Sequence, residues 1–212
     1  MANRRDEILS AAKVLFGSRG VRNTTMRDIA DACGLLAGSL YSHFKSKNEI
    51  VQIILLPVYE RLLPLQQKIV ESEGTGAERL DLMIRSVFPV LFEFGDEMTI
   101  VHYNWFDFMG VDEFEPFKAD SRKALQFWFD VVRAGIEDGS LRQEIDPEFA
   151  VRAITSSLHG VLDPKRYESL PSPVSETGFE GLVDQFVMLM MSGLGSLNVN
   201  DEQHHSKSLS TK

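Results

Sequence analysis

The sequence predicts an all-α protein: an N-terminal three-helix unit of helix-turn-helix type, followed by a longer helical body. Three observations carry this. Apolar residues recur at helical spacing from the first turn onward, as Ile8, Ala12, Leu15 and Phe16 do at i, i+4, i+7 and i+8. No stretch sustains an apolar–polar alternation, and no Asn-Gly or Asp-Gly pair marks a hairpin. Gly, Pro and Ser clusters fall where helices of ordinary length need ends.

The first helix is expected over 4–19, with Gly20 as its stop and Val21 as the apolar residue that follows. Thr25 caps the second, with Asp28 at its third position. That helix turns Ile29, Ala30 and Cys33 inward and ends at Gly34. The third helix covers about 37–43, and Ser46-x-x-Glu49 reads as a capping box that opens the fourth. Longer helices are expected over about 47–72, 76–94, 96–110, 115–138, 146–161 and 178–195. Turn residues separate them: Glu73 to Gly76, Gly95-Asp96, Gly110 to Glu113, Gly139-Ser140, and a Pro/Ser-rich loop at 163–178. Asp146-Pro147 is a capping acid followed by a proline at the first helical position. In the fourth helix, Pro57 and Pro64 lie seven residues apart on one face and predict kinks. From about 198 to 212 the chain is polar and reads as a disordered tail; His204-His205 there reads as solvated. The division is therefore 2–62, with the motif at about 25–44, then 63–197, then the tail.

Hydrophobic residues make up 43% and charged residues 25%, as in folded soluble chains. The charged start MANRRDEILS does not resemble a secretion signal, and no apolar run approaches the roughly 20 residues that span a bilayer. No membrane association is expected. The lone Cys33, read as a small buried hydrophobe, rules out an internal disulfide framework and suits a reducing cytoplasm. The net charge of −9 is unevenly spread. Residues 1–50 hold eight Lys/Arg against five Asp/Glu, a net of +3, which leaves −12 for the rest. A basic module attached to an acidic body is the reading this asymmetry suggests.

The stretch at 34–47, GLLAGSLYSHFKSK, completes the helix-turn-helix. In that motif the second helix lies in the major groove of DNA. Ala37, Gly38 and Ser39 are small, so the backbone can approach base edges and phosphates closely. Leu40 and Phe44 are spaced to anchor the helix on Leu15, Phe16 and Ile29. Tyr41, Ser42 and His43 then face outward with hydrogen-bond donors. Lys47 is a cation in the first turn of the fourth helix, where the helix dipole disfavours it unless a phosphate is near. Taken singly, Tyr41 also fits as a half-buried ring, and His43 and Lys47 as solvated surface.

Residues 24–52, TTMRDIADACGLLAGSLYSHFKSKNEIVQ, resemble the DNA-binding signature of TetR-family transcriptional regulators. The resemblance is strong over about 1–60 and extends beyond that as architecture. It implies an all-α homodimer, a palindromic double-stranded DNA operator, usually repression, and release by a small-molecule effector. By matching position, Thr25, Tyr41, His43 and Lys47 would hold phosphates, while Arg27, Ala37, Gly38, Ser39 and Ser42 would lie near bases or backbone. Leu36 departs from the pattern: it stands where family members often carry Ser or Thr, which removes a helix cap.

In the acidic body, Met98, His102, Trp105 and Met109 form one stripe at helical spacing. With Phe88 and Phe92 before it and Phe127, Trp128 and Val131 after, they make a candidate apolar ligand cavity, to which His159 adds a polar group. The same residues would serve equally as core filler. The last two helices carry apolar faces, with Phe149, Ala153 and Ser157 on one and Phe179, Leu182, Phe186 and Met190 on the other. Two such helices per subunit can close a four-helix bundle across a two-fold axis, or can pack within one subunit. The motif variant and the apolar stripe are similar to family members that sense acyl-CoA thioesters or lipid-like catabolites; a multidrug or aromatic effector fits as well.

No H-E-x-x-H, P-loop, G-x-S-x-G or Cys-x-x-Cys pattern is present, so neither an enzyme nor a bound metal or cofactor is expected. The competing reading is a helical small-molecule binding protein whose N-terminal helices contact protein rather than DNA.

Overall fold

The computed structural model describes residues 3–162 and 173–195. Every element among them is helical except an isolated bridge between Leu141 and Gly195. Helix α1 (Arg4–Arg19) starts at Asn3, whose side chain accepts the Arg5 N–H. It ends at Gly20, which adopts a φ of 82° and returns its N–H to the Phe16 carbonyl. Helix α2 (Met26–Ala32) opens with a reciprocal cap: the Thr25 hydroxyl accepts the Asp28 N–H, and the Asp28 carboxylate accepts the Thr25 N–H at 2.7 Å. Helix α3 (Ala37–Tyr41) is shorter than the expected 37–43, because Ser42 and His43 already bond as a tightened turn to Ser39 and Leu40.

Helix α4 (Lys47–Val70) is the longest. The Ser46 hydroxyl caps it through the Glu49 N–H, but the Glu49 carboxylate takes the Lys45 N–H at 2.6 Å instead of that of Ser46. Pro57 and Pro64 sit inside it on its exposed side. Helix α5 (Gly76–Glu93) is followed by α6 (Gly95–Met109), a 3-10 turn at Asp112–Phe114 that the sequence pattern did not signal, and α7 (Glu115–Glu137). Helices α8 (Pro147–Leu162) and α9 (Pro173–Leu194) complete the body. Gly178, with a φ of 70°, interrupts α9 at the residue where the last helix was expected to begin. The expected tail at 198–212, with its histidine pair, and most of the loop expected at 163–178 lie outside the described residues.

The core is continuous. Ile8, Ala12 and Phe16 of α1 meet Ile29, Leu40, Phe44 and Ile50, and the buried face of α4 carries the core onward to α5 and α7. Three polar ties join α1 and its following turn to α6. Lys13 Nζ bonds Glu97 at 2.9 Å, the Val21 N–H donates to Asn104 Oδ1 at 2.9 Å, and Arg22 pairs with Asp107.

At the far end of the body, α5 and α7 meet glycine against glycine. A Cβ placed on Gly76 would stand 2.0 Å from the Gly135 nitrogen, and one on Gly135 would stand 2.6 Å from the Leu141 side chain. The same contact caps α5, since Asp138 accepts the Gly76 N–H at 2.7 Å and Ser140 accepts the Ala77 N–H at 2.9 Å.

Candidate nucleic-acid interface and ligand cavity

Helix α3 is held by its inner side. Leu40 is fully buried and Phe44 nearly so, and the Arg5 guanidinium lies over the Phe44 ring at 4.2 Å from its centroid. Arg5 also donates to the His43 carbonyl at 2.7 Å, which fixes the turn that ends α3. The opposite side is open. Tyr41 is 56% exposed, and Arg27, Gly38, Ser39 and Ser42 are exposed beside it, with Ala37 and His43 half-buried at the edges. The Ser42 hydroxyl donates to the Ser39 carbonyl at 2.7 Å, so its proton is committed within the helix while its oxygen remains an acceptor. The Thr25 hydroxyl bonds Asp28 at 2.6 Å, and this bond, with the Thr25 N–H, holds the Asp28 carboxyl below its usual range.

Lys47 behaves differently from a solvated surface cation. Its ammonium donates to the Val21 carbonyl at 2.6 Å and the Thr24 carbonyl at 2.8 Å, bracing the α1–α2 turn. Burial lowers its pKa, against the opposing pull of Asp107 and Asp28. Leu36 stands at the N-cap of α3, 81% exposed and without a side-chain cap bond, as its departure from the usual Ser or Thr implies.

The body contains neighbouring hollows lined by α4, α5, α6, α7 and α8. One has a volume of about 350 Å³ and is walled by Tyr59, Met98, His102, Trp105, Ser121 and His159, among others. A second, of about 160 Å³, shares Tyr59, Met98, Ser121 and His159 and runs deeper, past Leu62, Val87 and Trp128 to Gln66. The two share these four wall residues, and the larger of them is within the size range of small-molecule cavities. Among the described lining residues there is no Lys or Arg. The Tyr59 phenol faces the Ser121 hydroxyl, and burial raises its pKa. Burial also pushes the His159 imidazole below its ordinary 6.5; the Thr155 carbonyl opposes this and the nearby His102 adds to it.

Of the residues predicted to line a cavity, Met98, His102, Trp105, Trp128 and His159 do so. Phe88, Phe92, Met109 and Phe127 do not border the described hollows. On α5 it is Val87 and Leu91, one position earlier, that face the hollow, and one residue rotates a helical side chain by about 100°. Phe88 therefore packs on Phe179 and Phe186 of α9, and Phe92 stacks on Phe179 at 4.8 Å. On α7, Trp128 faces inward while its neighbour Phe127 lies under the Lys123 ammonium. Met109 is exposed at the end of α6, one turn past the wall. Tyr59 and Gln66 of α4 line the hollow without having been singled out by the sequence. Their spacing with Leu62, at i, i+3 and i+7, marks the inner face of that helix.

The residues expected at a subunit interface differ in their exposure. Phe149 is 70% exposed on α8, with Ala153 and Ser157 half-buried along the same helix. Leu182 and Phe186, however, are buried within the subunit, Phe186 against Phe88 at 5.5 Å, and Phe179 and Met190 are half-buried beside them. The outward side of α9 instead exposes Met188 and Leu189, at 64% and 67%. Cys33 is half-buried rather than enclosed, with its thiol near the Glu7 carbonyl. No helix among the described residues is long and apolar enough to cross a membrane.

The fold and its two sites define a helix-turn-helix module joined by one long helix to a helical body with an internal apolar cavity. Comparison with known proteins agrees. The model of the bacterial regulatory proteins, tetR family, matches residues 8–54, and that of a tetracyclin repressor-like C-terminal domain matches residues 73–163. The chain belongs to the TetR family of transcriptional regulators, whose members are not enzymes.

It is 31% identical over 153 residues to the HTH-type transcriptional repressor KstR2 of Mycolicibacterium smegmatis, an alignment that covers 72% of this chain and 75% of that protein. It is 29% identical over 195 residues to the protein of the same description from Rhodococcus jostii, covering 92% and 93%. Among solved structures it is similar to the ketosteroid transcriptional regulator KstR2 of Mycobacterium tuberculosis, with a TM-score of 0.79 at 27% identity over 93% of this chain and 97% of that one.

Proposed function

We propose that this chain acts in the cytoplasm as a homodimeric repressor that binds a palindromic operator and leaves it when a small hydrophobic effector enters the cavity. The observation that carries the reading is the polarity of α3: its inner side is locked by Leu40 and Phe44 while its outer side, with Tyr41 and the small residues Gly38 and Ser39, is open. Thr25, Tyr41 and His43 would contact phosphates. Lys47, already bonded to two carbonyls, would contribute fixed positive charge more than a mobile contact. Arg27, Ala37, Gly38, Ser39 and Ser42 would lie against bases or backbone.

Residues 2–62 would form the DNA-binding unit and 63–197 the ligand and dimer unit, with α4 belonging to both. The exposed Phe149, Met188 and Leu189, with Ala153, Ser157 and Met190 alongside, would close the bundle between subunits. That pairing would set the recognition helices about 34–36 Å apart, one turn of DNA.

The cavity suits a neutral, elongated or polycyclic apolar molecule, since its lining offers aromatic and aliphatic walls, a few uncharged polar groups and no cation. The acyl or sterol-like part of a lipid catabolite meets that description, and one relative is described as a ketosteroid regulator. The phosphates of a coenzyme A group would have to lie outside this lining. An effector releases DNA only by binding more tightly to the arrangement that does not fit the operator.

The test is enrichment of genomic fragments on the purified protein, followed by sequencing, at two salt concentrations. One short palindrome should be recovered, weakened at higher salt as phosphate contacts are screened, and lost with Tyr41→Ala. Absence of any enriched sequence at low salt would remove the regulator reading.

A further inference from the structure

Helix α3 keeps two residues that the fold itself does not ask for. Leu36, on the turn that leads into it, is 81% exposed, more than any other large apolar side chain described in residues 3–54. It holds the N-cap position without a side-chain bond, where a serine or threonine would accept an N–H of the first turn. Gly38 is the second. Its φ is not positive, and a Cβ placed on it would meet nothing within 4 Å, so neither backbone nor packing requires a glycine inside the helix. A large apolar side chain held in water and a glycine within a helix both cost stability, and both fall on the open side of α3. The Ser39 N–H donates to the Leu36 carbonyl at 2.9 Å, which ties the leucine to the exposed first turn. That side is also poor in hydrogen-bond donors. Ala37 and Gly38 carry none on their side chains, and the Ser42 proton is taken by the Ser39 carbonyl. Of the residues proposed to meet bases, only Arg27, on α2, is a long donor.

We propose that Leu36 reads sequence: its side chain packs against the 5-methyl group of a thymine in the major groove of the operator. This rests on the reading of α3 as the recognition helix and adds what one position recognises. Base edges are met by the N-terminal residues of a recognition helix, which is where Leu36 stands. Of the four bases only thymine presents a methyl group in that groove, and apolar contact with it is how a side chain without donors or acceptors tells thymine from cytosine. Gly38 supplies the complementary feature, a floor without a side chain, so base edges can come close to the backbone beside the leucine. A serine at position 36 would cap the helix and leave the methyl without an apolar partner. Leu36 bears no charge and gives nothing to a phosphate. Its contribution is base choice, separate from the phosphate contacts proposed for Thr25, Tyr41 and His43.

The experiment uses the whole chain and the palindrome recovered by fragment enrichment. The duplex is synthesised with each thymine replaced in turn by deoxyuridine, which removes the methyl and keeps every hydrogen-bonding group. Affinity is read by fluorescence anisotropy of the labelled duplex. One thymine per half-site should matter, and its replacement in one half-site should weaken binding about fourfold, as expected for the loss of one buried methyl group. With Leu36→Ala the natural and deoxyuridine duplexes should bind alike, to within about 1.5-fold, which closes the double-mutant cycle on this side chain and this methyl. The slope of log affinity against log salt should stay the same, because no phosphate contact is lost. Leu36→Ser serves as the second variant, and thermal melting checks that both fold. A palindrome that the protein binds without any sensitive thymine overturns the inference and leaves the regulator reading standing. So does a sensitivity that survives in both variants, which assigns the methyl to another side chain. Recovery of no palindrome at all overturns the inference and the regulator reading together.

Discussion

Leu36 and His159 show how much one side chain sets. At Leu36 the first turn of α3 lacks the side-chain acceptor that a serine would supply. Leu36→Ser should therefore stabilise the protein by up to about 1 kcal/mol, visible as a rise of roughly 2–4 °C in Tm. An unchanged or lower Tm would mean that the exposed leucine already packs against something in solution. His159 gives a pH dependence of defined sign. Its folded pKa is lowered, so between that value and 6.5 the unfolded chain binds the extra proton and the folded chain does not. The stability it contributes is present above the unfolded value and is lost as pH falls through the window beneath it. Melting between about pH 7.5 and about pH 5.5 should show a larger drop for the natural protein than for His159→Gln. Parallel curves would remove the assignment.

Among the elements, α4 and α6 are the two that touch both sites. Helix α6 turns Met98, His102 and Trp105 to the cavity and Glu97 and Asn104 to α1 and its turn. Helix α4 turns Tyr59, Leu62 and Gln66 to the cavity, while Lys47 at its start grips the Val21 and Thr24 carbonyls. Our hypothesis is that Pro57 and Pro64 make α4 bend where it links the two sites, because each removes a bond to the carbonyl four residues earlier. Replacing both with alanine should stiffen α4 and reduce effector-driven release from operator DNA. Full release by the double variant would locate the hinge elsewhere.

Helix ends were legible in the sequence because capping is local: Thr25 with Asp28, Gly20 and Pro147 all lie where their chemistry placed them. Which side of a helix faces the cavity was less legible. At Phe88 against Val87, or Phe127 against Trp128, both neighbours are apolar and only the packing partner decides. Gln66 was hidden for the opposite reason. A polar residue in a long helix reads as surface until its neighbours are known.

For the whole molecule, the exposed Phe149, Met188 and Leu189 predict association. The protein should sediment as a dimer at micromolar concentration. Phe149→Glu combined with Met188→Glu should yield a monomer whose operator affinity falls sharply, since each half-site then binds alone. A double variant that remains dimeric would place the interface on another face. The log of operator affinity should also fall linearly with log salt, despite a net charge of −9, because the phosphates meet the basic N-terminal module and not the acidic body.

The close contact of Gly76 with Gly135 has a consequence for genetics. Neither position belongs to the helix-turn-helix or to the cavity lining, yet neither has room for a methyl group. A random screen for inactive alleles should recover Gly76 and Gly135 alongside the recognition helix. The two groups would separate on a blot: changes in α3 leave normal amounts of inactive protein, while changes at these glycines deplete the protein, most severely at raised growth temperature.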